Sequence, residues 1–393
     1  MQLSHTVSNV SVAFDDPNLV ACAGLAPVME LARRAGLPDL VASKVKVGVP
    51  GGVFPAVKVP ALIAGMIAGA DSIDDLELLR HGGMDRLFTG IHAPSTYGTF
   101  LRSFTFGHVR QLDSVASSFL VNLTSCAPLL PGADQLAYVD LDDTVKATYG
   151  YAKQGAGYGY SGVKGLNALI AAVSTAHGAP LIAAARLRRG QTNSARGVGS
   201  LATEGLATAR RAGATGRLIL RADSAFYGHK ICRAAGRAGA HFSLTARMDA
   251  AVRRAIAGID ADAWTPIRYP RAIWEAAEDR WISDAEVAEV RFTAFTSTAH
   301  PVTARLIVRR VKRLHPDTVA TGQGELFADY RHHAIFTDSP NIMLQAEADH
   351  RRHAIVEQVF ADLKDSALAH LPSGKFAANA AWLALATMAF NLT

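Results

Sequence analysis

The sequence predicts an α/β protein built as an all-α N-terminal region, a mixed-sheet core, and a β-rich insertion placed before a late helix of that core. Three observations predict it. Up to about residue 130, apolar residues recur at helical spacing between Gly and Pro breaks. From about residue 135 the pattern changes to short apolar strands interleaved with helical stretches. Finally, 134 residues separate Asp223 from Glu357, too many for a bare core, and β-patterned pieces occupy them.

In order, Leu25 to Gly36, Pro60 to Gly69, Ile73 to Arg80 and Gly107 to Leu123 are expected helices. In Ala93-Pro94-Ser95-Thr96 a Ser/Thr start after Pro offers an N-cap for a helix from Tyr97 to Phe106, with Thr99, Arg102, Ser103 and Thr105 on exposed turns. A short helix after a tight turn, carrying hydroxyls and an Arg, suits a helix-turn-helix in a major groove. An ordinary capped helix in a bundle has the same pattern. Leu136 to Asp142, Leu166 to Ser174 and Pro180 to Arg186 form a meander. A helix (Ser200 to Ala212), a strand (Leu218 to Ala222), a helix (Tyr227 to Ala238) and a strand (His241 to Arg247) follow. Three strands, then alternating helix and strand, is the order of a ribonuclease-H-like core. That fold hosts several chemistries, so it does not fix function. In the insertion, Ala285 to Phe295, Val302 to Lys312 and Arg331 to Thr337 are strands, with Arg305, Arg309 and Arg313 evenly spaced on one face and Arg310 and Lys312 on the other. A basic strand of this kind suits a DNA backbone. Trp264, Trp274 and Trp281 are packing residues, or one of them stacks on an unpaired base. The expected boundaries are 1–130 (helical), 131–248 (first part of the core), 249–340 (insertion) and 341–393 (last part of the core).

Composition narrows the class. With 393 residues, 49% hydrophobic and 19% charged, the chain can bury a sizeable core in two or three domains. A formal charge of +6 favours a polyanionic partner. Cys22, Cys126 and Cys232 are too far apart for a zinc knuckle and give no disulfide framework, so reduced thiols in a cytoplasm are expected. Met1 to Asn18 contains no apolar signal core, and Phe376 to Thr393 carries Asn379 and Asn391, as a buried helix would and a membrane span would not. Gly155 to Tyr160 lacks the Gly-Lys-Ser/Thr ending of a phosphate loop and is expected as a hairpin tip, with Lys153 and Lys164 near DNA phosphates.

The chemistry concentrates on acids. Tyr138-Val-Asp-Leu-Asp-Asp-Thr144 is a strand running into carboxylates, and Leu218-Ile-Leu-Arg-Ala-Asp-Ser224 is a second strand ending on one. In His350 to Lys364, at about 100° per residue, His350, His353, Ala361 and Lys364 fall within about 40° of Glu357 on one helix face. Two acids at strand ends and a third on a late helix make a two-metal constellation, because hard divalent cations prefer carboxylate oxygens. Each acid alone has an ordinary role open to it: a turn for Asp142 or Asp143, a cap for Asp223, an ion pair for Glu357.

The sequence resembles the DDE insertion-sequence transposases, specifically the insertion-sequence thirteen-eighty family of the insertion-sequence-four superfamily. The matching segments are Ala93 to Phe104, Asp140-Leu-Asp-Asp-Thr144, Arg221-Ala-Asp-Ser-Ala-Phe-Tyr227, Ala334-Ile-Phe-Thr-Asp338, the Glu357 helix, and His370-Leu-Pro-Ser-Gly374 with Asn379-Ala-Ala-Trp382. The resemblance implies DNA strand cleavage at the inverted-repeat ends of a mobile element and strand transfer to target DNA. It implies Asp142, Asp223 and Glu357 as ligands of two Mg²⁺ (or Mn²⁺) ions about 3.5–4 Å apart. Asp140, two residues before Asp142 on the same strand face, is the alternative first acid or a supporting partner. Lys364, His350, Arg351, Arg352, His353, Arg102, Arg305 and Arg309 are the expected DNA contacts. A homodimer on DNA, no membrane, and a bacterial cytoplasmic, nucleoid-associated location complete the expectation.

The chain departs from the superfamily in two ways. That superfamily carries Tyr, Arg, Glu and Lys at set spacing on the late helix. Here Glu357 and Lys364 match, but His350 stands at the Tyr position and His353 at the Arg position, beside Arg351 and Arg352. An imidazole lacks the bidentate fork of a guanidinium, which sets the phosphate contacts here, and any hairpin intermediate they support, apart from the family's. Family members also continue past the position of Thr393, so the chain is expected to be a fragment or a truncated reading frame. The rival expectations are a stand-alone metal-dependent endonuclease and a DNA-binding remnant without catalysis.

Overall fold

In the computed structural model, residues 16–48, 54–150, 152–159, 162–268, 273–275, 280–282, 285–312 and 330–393 are described, and Arg313 lies outside them. The chain divides into two units, one formed by 1–126, 148–155 and 362–393, the other by 127–147 and 156–361.

In the first unit, apolar residues at helical spacing form α1 (Leu25–Arg34), α2 (Leu37–Lys44), α3 (Pro55–Ile67), α4 (Pro94–Arg102) and α5 (Phe106–Cys126). Between α3 and α4, Asp74–Arg80 is 3₁₀ rather than α-helical. The cap expected from Ser95 or Thr96 is not made. Ala93 is the extended residue before the helix, Pro94 opens it, and no side chain caps it. The helix also ends earlier than expected, where Ser103 Oγ donates to Phe100 O at 2.6 Å. Thr99, Arg102 and Thr105 are exposed.

The last helix of the chain, residues Phe376–Phe390, packs on α5, α3 and α4. Every residue from Ala378 to Ala389 is buried there, and Asn379 spends its amide on Ser373, donating to its carbonyl and accepting from its N–H. Among the described residues no helix is long and apolar enough to cross a membrane.

The second unit is built on one sheet. Its strands are β1 (Leu136–Ala147), β2 (Gly157–Tyr158), β3 (Lys164–Ser174), β4 (Leu181–Arg189), β5 (Arg217–Ala222), β6 (His241–Thr245), β7 (Thr265–Ile267), β10 (Ala285–Ala294), β11 (Val302–Lys312) and β12 (Tyr330–Thr337). A separate hairpin pairs β8 (Ile273–Glu275) with β9 (Arg280–Ile282). The core order is β4-β3-β1-β5-β6, with β3 antiparallel and β5 parallel to β1. This mixed α/β arrangement is ribonuclease-H-like. The helix α6 (Val198–Arg211) lies so close to the sheet that a Cβ on Gly205 would stand 2.7 Å from the Cβ of Ala171 on β3. Next to it packs α7 (His229–Arg237), and α8 (Ala250–Ala257) is capped by Asp249.

The β-rich segment between the second and third acids joins the same sheet. β12 pairs antiparallel with β6, and β11, β10 and β7 follow outward. Trp264 lies against the Arg310 guanidinium at 4.1 Å, as packing, and Trp274 is 46% exposed.

The late helix is not continuous. α9 (Met343–Arg351) passes through a 3₁₀ turn at Arg352–Ala354 into α10 (Ile355–Lys364), and the Phe376–Phe390 helix is α11. A single continuous α-helix from His350 to Lys364 is therefore corrected, although His350, His353 and Glu357 still line one cavity. Arg221 donates to the carbonyl of Asp349, the acceptor that His353 N–H would need to carry an α-helix onward. Asp349 itself collects side-chain bonds from Asn341 and Gln345.

Candidate active site

On β1 the side chains of Tyr138, Asp140 and Asp142 alternate onto one face. Asp140 is fully buried and takes both arms of the Arg221 fork, Nε at 2.6 Å and Nη2 at 2.7 Å, and its Oδ1 also meets Nδ1 of His353 at 3.0 Å. Burial alone would raise the Asp140 pKa, but Arg221 and His353 outweigh it and hold the carboxyl below its usual range. The Arg221 guanidinium lies 3.9 Å from the Tyr138 ring, buried with its partner. Asp143 points to the other face and is spent on Arg188 and Asn167. The lone Arg in the apolar run Leu218–Ala222 was the sequence signal for this network.

Parallel pairing sets Asp140 against Arg221 and Leu141 against Ala222. Asp142, within β1, and Asp223, just past the end of β5, are the next residues along. Asp142 Oδ1 accepts from Asp143 N at 2.7 Å, and Asp223 Oδ1 from Ala225 N at 2.9 Å. Burial, with the charge of Asp223 added, pushes the Asp142 carboxyl up to about 7. Burial likewise raises Asp223. Among the described residues neither carboxylate has an ion-pair partner.

Both aspartates line a cavity of about 300 Å³ together with Glu357, which stands exposed in the first turn of α10. The same cavity is lined by His353, His350, Arg309, Arg351 and Glu347. Among the described residues no three His, Cys, Asp or Glu side chains stand close enough, as placed, to hold a metal ion. The donor set still fits a hard divalent cation. Four carboxylates against two guanidiniums leave the lining negative.

The expected DNA contacts are dispersed. His350 is corrected: Nδ1 meets Ser243 Oγ and Nε2 meets Thr245 Oγ1, both at 2.9 Å, and burial pushes its pKa down to about 3. It is a neutral core residue with both nitrogens used. Arg305 is likewise committed within the protein, to Glu289 and to the carbonyls of Ser339 and Asn341. Arg309 and Arg351 share Glu347. Arg352 is 63% exposed and reaches Asp349 at 3.5 Å. Arg102 and Lys364 lie in the other unit, the first exposed and the second half-buried at the end of α10. Glu347 went unrecognised in the sequence, because its i,i+4 pairing with Arg351 looks ordinary and only the fold brings Arg309 to it.

The model of the transposase DDE domain group 1 family matches residues 4–393. The chain belongs to this family. No curated protein matches it. Among solved structures, a cryo-EM structure of the piggyBac transposase synaptic complex with hairpin DNA matches with a TM-score of 0.44 and 10% identity, covering 96% of this chain and 74% of that one.

Proposed function

We propose that this DDE transposase cleaves DNA at the inverted-repeat ends of an insertion sequence of the thirteen-eighty family and joins the freed ends to target DNA. Asp142, Asp223 and Glu357 are the metal-binding residues of this reading. The observation that carries it is the pair of half-buried, unpaired carboxylates on adjacent parallel strands, sharing one cavity with Glu357. Mg²⁺, or Mn²⁺ in its place, would supply activation of the attacking oxygen and stabilisation of the leaving one. Asp142 is the first acid, because the oxygens of Asp140 are taken by Arg221 and His353. The role of Asp140 is to hold His353 at the cavity wall. A homodimer that pairs two ends, acting in the bacterial cytoplasm on the nucleoid, belongs to the same proposal.

The test is Asp223→Asn on a duplex bearing the flanking repeats. The amide keeps the shape and removes the charge that holds a cation. Cleavage should be abolished, with end binding within about twofold of wild type. Wild-type cleavage by the variant would remove Asp223 from the site. Loss of binding together with cleavage would make its role structural. Wild-type protein that binds ends but does not cut in either Mg²⁺ or Mn²⁺ would identify a DNA-binding remnant.

A further inference from the structure

The cavity holds a second ionic group that the proposed chemistry leaves unused. Glu347 of α9 is 1% exposed, and its two oxygens meet one guanidinium from β11 and one a turn further along α9. Nη1 of Arg309 on β11 donates to Oε1 at 2.8 Å, and Nε of Arg351 donates to Oε2 at 2.8 Å. All three residues line the cavity. One guanidinium would balance one buried carboxylate. Glu347 binds two, and this holds both guanidiniums beside the acidic trio. One bond from each guanidinium to its own oxygen orients both planes, and each guanidinium carries five donors in all.

We infer that Arg309 and Arg351, oriented by Glu347, form a phosphodiester-binding clamp for the DNA strand that meets Asp142, Asp223 and Glu357. The inference rests on the nuclease reading above. Planar guanidiniums match the non-bridging oxygens of a phosphate, where charge gathers as the bond breaks. Neither Arg is replaceable by Lys in that role, because an ammonium has no fork. Glu347 is a positioning residue: it touches no substrate and acts through the two arginines.

Binding is measured in Ca²⁺ and cleavage at saturating DNA in Mg²⁺, both on the duplex with flanking repeats. Glu347→Gln removes an anion, so it should bind DNA at least as tightly as wild type yet cleave at least tenfold more slowly. A residue serving only to hold the fold would not split binding from rate in that direction. Arg351→Gln should slow cleavage by a similar factor and lower the salt slope of binding by about one. The double variant should be no slower than the slower single variant, since the three groups act as a unit. Glu347→Gln that melts like wild type and cleaves within twofold of it overturns the clamp, as do single effects that multiply. If Glu347→Gln fails to fold, an unchanged salt slope in Arg351→Gln overturns it. Should wild-type protein bind ends and never cut, the nuclease reading fails, and the salt slopes of Arg309→Gln and Arg351→Gln decide the clamp alone.

Discussion

His350 shows how one buried side chain sets a pH limit. Its imidazole is enclosed between two hydroxyls and is held neutral, with its pKa pushed down to about 3 mainly by burial, then by His353 and Arg221. The unfolded chain, with an ordinary histidine pKa of about 6.5, binds a proton well before the folded one does. The stabilising contribution is therefore present above pH 6.5 and is lost as the pH falls towards 3. Between pH 7 and pH 5 this single group should remove about 2 kcal/mol of stability. Urea denaturation at the two pH values checks it, with His350→Gln as the comparison. The variant should show a smaller pH difference, and an equal difference in both proteins assigns the loss to other groups. The His350 position was legible in sequence as an oddity among cations. Its inward direction was not, since the residues that receive it, Ser243 and Thr245, lie more than a hundred positions upstream.

At the scale of elements, the acids on strands were visible because apolar runs end on them, and periodicity of two fixes which face each one takes. The break at Arg352–Ala354 was invisible. The local sequence continues a helical pattern, and the Asp349 carbonyl just before the break accepts from a guanidinium of β5. This changes what can be asked of Lys364. It shares α10 with Glu357, two turns further on, while His350 and His353 precede the break and Lys364 is not among the residues lining their cavity. Lys364→Ala should lower the log–log salt slope of DNA binding by about one and leave the divalent-ion requirement unchanged. If Lys364 is only a surface ion-pair partner, the variant loses at most about 0.5 kcal/mol of stability and the slopes coincide. A salt titration of both proteins separates the two outcomes.

At the scale of the whole molecule, Arg221 ties together three stretches of one unit. It bonds Asp140 on β1, the Asp349 carbonyl at the end of α9, and through Asp140 it steadies His353. Arg221→Met leaves the Asp140 charge buried without its main partner and should cost about 3–5 kcal/mol. Pairing it with Asp140→Leu should recover most of that loss, because an apolar pair of similar volume replaces the ions. Denaturant midpoints of the single and double variants test this, and a double variant as weak as the single one would show that the network is worth more than its charges. The same arrangement has a consequence for the order of synthesis. Asp142 and Asp223 leave the ribosome long before residues 343–357 exist, and until then the Arg221 guanidinium lacks its Asp349 acceptor and the cavity lacks one wall. The two aspartates are made early, but the cavity they line closes only once residues 343–357 have been added, so a partly made polypeptide carries the two acids without their enclosure.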